Sequence, residues 1–206
     1  MKIIKPYIIT DEIPNGTDIL NKLEKIGRVC YKSEDKICKE SAEKFIGNII
    51  KRGHESVIEH VSISVRVICD RGVTHEIVRH RLASYSQEST RYCNYSSDKF
   101  GSELTFIRPC FWSEASECYK IWENSMLEVE NNYMKLINSN ATPQEARSIL
   151  PNSIKTEIVM TMNLREWRHF FKLRMSSAAH PQMQEVAKMI FKELKKKIPV
   201  IFDDFE

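Results

Sequence analysis

From Val61 to Cys69 the apolar residues Val61, Ile63, Val65, Val67 and Cys69 occupy every second position, against Ser62, Ser64 and Arg66. That is the period of a strand with one buried face, and such a strand needs neighbours to pair with its backbone. Just before it, Ser41 to Gly53 follows the helical period, with Ala42, Phe45, Ile46, Ile49 and Ile50 on one face. Lys51, Arg52 and the glycine supply the stop signals. Any fold for this chain must therefore pack helices against a sheet.

Further along, "MKIIKPYIIT" reads as a short β-like run broken by Pro6, and "ELTFIRP" and Ile154 to Met162 read as strands. Thr74 is placed to cap a short helix, "HEIVRHR", after a turn at Asp70, Arg71 and Gly72. A long helix runs from about Ser113 to Asn138, its stripe of Tyr119, Trp122, Met126, Val129, Tyr133 and Leu136 serving as core or subunit contact. "TPQEA" has the capping-box pattern, and Asn163 with Glu166 repeats the cap-and-reach-back arrangement ahead of "LREWRHFFKLR". A last amphipathic helix carries Met183, Val186, Ala187, Ile190, Phe191 and Leu194. There is neither a regular βαβ rhythm nor a G-x-G-x-x-G turn. The expected class is α+β, a mainly antiparallel sheet flanked by helices.

The 206 residues contain no linker or low-complexity run, so one domain over 1–206 is expected. A formal charge of +3 is too small to indicate a nucleic-acid partner, and no nucleic acid is expected. The N-terminus does not resemble a signal peptide and no apolar stretch reaches membrane-spanning length, so no membrane and a cytoplasmic location are expected. Six cysteines at irregular spacing, without C-x-x-C, read as reduced thiols.

Residues 79 to 92, "RHRLASYSQESTRY", follow neither the helical nor the strand period, and they concentrate arginines, hydroxyls and amides. The segment reads as a ligand-holding loop. "HEIVRH" nearly matches the zincin H-E-x-x-H, but its second histidine is one residue late. On a helix that leaves His75 and His80 about 140° apart, unable to share a metal, so none is expected. Cys110 is a candidate nucleophile, with a structural role as the alternative. The arginines and tyrosines also suit nucleic acid, but no extended basic helix or binding module accompanies them. What remains is a compact anionic ligand, a nucleotide or phosphorylated cofactor, held by arginine forks and serine hydroxyls. Arg147 and Arg174 are candidates for the same pocket.

R-H-R, seven residues, then Ser, here Arg79, His80, Arg81 and Ser89 extended by Arg91 and Tyr92, resembles the signature of the flavin-dependent thymidylate synthases, the ThyX type. The likeness extends over most of the chain through "GHESVIEH", "EARSILP" and "NLREWRHFFKLR". It implies a ThyX-type fold and a reaction in which dUMP receives a methylene from 5,10-methylenetetrahydrofolate and a hydride from reduced FAD, giving dTMP, with NADPH recharging the flavin. It also implies no enzyme cysteine nucleophile, because the flavin carries the reducing equivalents and the methylene. The alternative is an inactive flavin or nucleotide sensor.

By the same resemblance Arg79, His80 and Arg81 contact FAD, with Ser56, Gln87, Asn163, Leu164, Arg165 and His169 as further cofactor positions and His54 beside flavin and folate. Glu76, Ile77, Val78, Arg79, Gln87, Glu88, Ser89, Thr90, Arg91 and Arg147 correspond to dUMP contacts, Ser89 and Arg91 suiting its phosphate. Arg174 corresponds to the arginine that favours ionisation at uracil N3, enriching C5 in electrons. His180 follows Arg174 at a longer spacing than the family pattern. Ser86 and Gln87 stand where many members have Asn and Glu, His169 where others have Asn, and Glu76 where some have Gln. Homotetramers with shared active sites are implied as well.

Overall fold

The alternating segment folds as a strand, Ser62–Asp70, with Ile63, Val65 and Val67 at most 1% exposed. The computed structural model describes residues 1–10 and 13–205. In chain order the elements are β1 (Lys2–Ile4), β2 (Tyr7–Ile9), α1 (Gly16–Val29), α2 (Ser41–Lys51), β3 (Ser62–Asp70), α3 (Arg71–Ile77), β4 (Ala83–Gln87) and β5 (Thr105–Ile107). They continue with α4 (Glu117–Asn138), α5 (Pro143–Ala146), β6 (Lys155–Asn163), α6 (Leu164–Arg174), α7 (Pro181–Lys197) and α8 (Pro199–Phe202). Strands β2, β3, β6 and β4 pair in that order in an antiparallel sheet flanked by helices, the α+β class anticipated. A second ladder joins β1 to β5 in parallel, Ile3 opposite Phe106.

The chain divides into two compact units, each assembled from three segments. The first comprises Met1–Tyr7, Val67–Arg79 and Ser86–Ile158, and the second Ile8–Arg66, His80–Tyr85 and Val159–Glu206. In the first, α4 begins at Ser116, whose hydroxyl accepts the Tyr119 N–H. Its stripe is core: Tyr133 is fully buried and Met126 nearly so, packed with Leu104, Phe106, Ala146 and Ile154. The capping box at Thr142 and Glu145 starts α5, and the Glu145 carboxylate sits below its usual range because it accepts from the Thr142 hydroxyl and N–H.

In the second unit α6 buries Trp167, Phe170 and Phe171 completely, and the Trp167 indole N–H donates to the Ile63 carbonyl at 3.2 Å. Phe171 meets Phe191 and Phe202 edge-on. Arg168 ties this core together, pairing with Glu55 and Asp204 and donating to the Ile201 carbonyl. Helix α2 ends in a Schellman arrangement: the Gly53 N–H donates to the Ile50 carbonyl and the His54 N–H to that of Ile49. Gly53 has φ +73, where a side chain would be strained, and that turn delivers His54 to the surface.

Three local expectations change. Asp70, not Thr74, caps α3 by accepting the Val73 N–H at 2.8 Å. The helix therefore starts where a turn was read and ends at Ile77, before the R-H-R motif. Within the supposed loop, Ala83–Gln87 is a strand whose exposure alternates, because sheet pairing supplies the backbone partners that the apolar content does not advertise. At α6 only half of the reciprocal cap forms: Asn163 accepts the Glu166 N–H at 2.9 Å, while the Glu166 carboxylate is engaged by His80.

Candidate active site

The first unit gathers the expected substrate positions around the end of β4. Gln87 donates to the hydroxyls of Thr74 and Thr156 at 3.0 and 3.3 Å, which fixes its amide inward. Glu88 is committed inside the protein: its carboxylate accepts from the Tyr95 phenol at 2.8 Å and from Lys155 at 2.6 Å. Burial and Glu88 together raise the Tyr95 pKa, keeping the phenol a donor. The chain then turns at Ser89, whose carbonyl accepts from the Tyr92 and Cys93 N–H groups. Arg91 and Arg147 are exposed cations with neutral partners, Gln144 at 3.2 Å and the Thr90 hydroxyl at 3.5 Å respectively. Such contacts are exchangeable, so both guanidiniums can turn to an anionic ligand. Arg79 and Val78 are exposed, Glu76 is half-buried, and the Ile77 side chain is fully buried.

In the second unit a cavity of about 660 Å³ is lined by Leu82, Asn163, Arg165, His169, Lys172 and Phe205, among others. Three of the expected cofactor positions, Asn163, Arg165 and His169, thus meet at one cavity. Arg165 pairs with Glu59 at 2.5 Å and Glu55 at 3.6 Å, and it is half-exposed. Leu164 is core, its N–H given to the Val61 carbonyl at 3.0 Å. Ser56 and Arg81 are exposed, and His54 Nδ1 lies 3.0 Å from the Tyr31 phenol.

His80 is only 4% exposed and stands between two charges on α6. Its Nδ1 is 3.0 Å from Glu166 Oε1, and its Nε2 accepts from Arg174 Nε at 3.0 Å. Burial is the largest influence on its pKa and lowers it, assisted by Arg174 and His169 and opposed by Glu166, so the ring is neutral at pH 7. Tyr85 donates its phenol proton to the His80 carbonyl at 2.7 Å. Burial foremost, with Glu166 nearby, raises that phenol to about 12. The nitrogens and carboxylate of His80, Glu166 and His169 lie within 4.8 Å of one another, a spacing open to a metal. Hydrogen bonding already accounts for it, since both His80 nitrogens are engaged.

All six cysteines are free thiols. Cys110 is exposed, and Cys69 is buried with its thiol pKa pushed up. His180 is the N-cap residue of α7. Among the described residues, no helix is long and apolar enough to cross a membrane.

Sequence reasoning passed over Glu166 except as a cap, and it passed over Thr74, Thr156, Tyr95 and Lys155 as site supports. Glu166 and His80 lie 86 positions apart, so no local spacing could have joined them.

Fold and clusters together define an α+β protein whose arginines and hydroxyls are disposed for anionic ligands. The family described as Thymidylate synthase complementing protein matches residues 15–200. The flavin-dependent thymidylate synthase of Pyrococcus furiosus is 38% identical over 83% of this chain and 70% of its own length. That of Geobacter sulfurreducens is 33% identical over 86% of this chain and 78% of its own. That of Corynebacterium aurimucosum is 33% identical over 97% and 86%. The chain belongs to the flavin-dependent thymidylate synthase family.

Proposed function

We propose that this chain methylates dUMP reductively to dTMP, with 5,10-methylenetetrahydrofolate as carbon donor, FAD as cofactor and NADPH as reductant, in the cytoplasm. The observation that carries this reading is the convergence of Asn163, Arg165 and His169 on one cavity at α6, whose last residue, Arg174, is held by His80 from the segment before β4. The cavity is lined by the carboxylates Glu55, Glu59 and Glu166 as well as by cations, but each carboxylate is held by a protein partner, Arg165 and Arg168 for Glu55, Arg165 for Glu59 and His80 for Glu166. Lys172 is then the cation for phosphate oxygens, with Arg165 joining it by exchange from its exposed carboxylate pairs, while Asn163 and His169 serve polar ring edges and Leu82 and Phe205 apolar surface. Arg79, His80, Arg81, Ser56 and Gln87 complete the proposed flavin contacts, and His54 the folate side. The bound flavin supplies the hydride.

The chain's own residues have two tasks. Ser89, Thr90, Arg91 and Arg147 bind the dUMP phosphate, with Glu76, Ile77, Val78 and Glu88 shaping the loop and its backbone. Arg174 stabilises negative charge at uracil N3, which pushes electron density to C5, an otherwise poor carbon nucleophile. No cysteine attack is required in this route.

Neither unit is continuous in sequence, which supports one domain over 1–206. A homotetramer with shared active sites is part of the same proposal and rests on the resemblance carried by the R-H-R and "NLREWRHFFKLR" motifs. Light scattering of the active species tests that assembly. The reaction itself is tested by anaerobic incubation with FAD, dUMP, methylenetetrahydrofolate and NADPH. Formation of dTMP that depends on both FAD and NADPH is the expected result. No dTMP from folded, FAD-bound protein would refute it.

A further inference from the structure

Arginine carries only donors at its guanidinium and stays protonated at any working pH. The Arg174 Nε that lies 3.0 Å from His80 Nε2 must therefore meet a lone pair. A neutral imidazole with a bare Nε2 carries its proton on Nδ1, and that proton points at Glu166 Oε1, 3.0 Å away. The two contacts specify the same tautomer independently. An imidazolium, or the opposite tautomer, would set an N–H against an N–H and leave the buried carboxylate or the guanidinium mispaired.

The surroundings keep the ring from choosing otherwise. Phe170 stands edge-on at 5.0 Å and His169 at 5.8 Å between centroids, and the Tyr85 phenol holds the His80 carbonyl. The groups facing the ring are thus Glu166, Arg174 and His169 from α6 and Tyr85 from β4. Burial leaves Glu166 7% exposed, so water does not compete freely for the carboxylate.

From this geometry we infer that Glu166 is a positioning residue: its carboxylate locks His80 as the Nδ1–H tautomer, and the bare Nε2 then fixes the Arg174 guanidinium for its part in the reaction. This deepens the reading of Arg174 given above and rests on it. It gives His80 a task in the Arg174 chain besides cofactor contact. It also explains why a glutamate at the third position of α6 forgoes its ordinary reach-back to the helix cap.

The test has a spectroscopic arm and a kinetic arm. In protein labelled with [15N]histidine at pH 7.5, the resonance pair assigned by its loss in His80→Phe should show a protonated Nδ1 and an unprotonated Nε2. A protonated Nε2 in the wild-type protein overturns the inference, whatever the enzyme does. Kinetically, Glu166→Leu on FAD-loaded enzyme should lower kcat on the order of 10- to 100-fold, the loss seen when the carboxylate that orients a metal-bound imidazole is removed and taken here as the scale for an oriented imidazole. The KM for dUMP should stay within about twofold, because the loss falls on the reacting complex. Glu166→Gln should recover most of kcat, since Arg174 on the far side leaves the amide only its oxygen to offer Nδ1. Equal loss in the Gln and Leu variants would overturn the locking role. If the wild-type enzyme forms no dTMP, the functional reading fails, while the labelled spectrum still decides the tautomer.

Discussion

Arg147 and Arg174 both stand at helix ends, Arg147 as the C-cap of α5 and Arg174 as the last residue of α6, and they are held in opposite ways. Arg147 is exposed in the first unit, and its side chain makes a long 3.5 Å hydrogen bond to a neutral hydroxyl. Arg174 is half-buried in the second, its Nε anchored at 3.0 Å on a buried imidazole that is itself held by a carboxylate. The first arrangement leaves a cation for a ligand to complete. The second fixes the guanidinium before any ligand arrives, which suits a group that must meet developing charge without reorganising. Binding and chemistry are thus separated by how firmly each side chain is held.

Perturbing the rigid core should give the largest effect. Trp167→Ala removes a fully buried indole and its bond to the Ile63 carbonyl, so urea denaturation should show a loss of about 3–5 kcal/mol. A loss below about 1 kcal/mol would mean that the second unit is not held by this cluster.

Arg174→Ala should come next, lowering the rate of dTMP formation on the order of 10²- to 10³-fold in single-turnover assays. Its urea midpoint should move little, and comparable turnover would remove Arg174 from the mechanism. Arg147→Ala should sharpen the contrast by acting on binding: the dUMP KM should rise about tenfold or more, the worth of one charge-assisted contact, with kcat and stability nearly unchanged. A kcat loss without a KM change would reverse the assignment.

Acid should act on the second unit through His80. Its folded pKa lies below the ordinary 6.5, so the unfolded chain binds the proton more readily. The stability contribution is therefore complete above about pH 6.5 and is lost as pH falls through the folded value. The Asp204 carboxyl, lowered from 3.8 first by its hydrogen bond to Arg168, adds a further loss only at more acidic pH. Urea midpoints between pH 8 and 5 should decline on the acid side, and a rise there would contradict the neutral ring. The smallest effect belongs to Cys110→Ala, which should retain dTMP formation. Complete loss with FAD and dUMP still bound would revive a cysteine route.

Much of the fold was legible because periodicity records which face of an element is buried. The Val61–Cys69 alternation, the α2 face ending at Gly53, the α4 stripe and the Thr142 capping box each depend on residues within a few positions of one another. The R-H-R motif and its following serine marked the site for the same reason: the residue types are adjacent in sequence. What locality could not supply was pairing across the chain. A polar segment with few apolar residues reads as a loop until neighbouring strands satisfy the backbone of Ala83–Gln87. Asp70 could be told from Thr74 as the cap only once the Val73 N–H was placed. Glu88 is held by Tyr95 and Lys155, the latter 67 positions away, a pairing that no local spacing announces.

The sequence by itself determined the class, the helix stops and caps, and the inventory of arginines, hydroxyls and histidines available for chemistry. Only the tertiary structure decided what each group faces. It set His80 between Glu166 and Arg174, and so chose a tautomer, because hydrogen bonds and burial act through space between residues far apart in the chain.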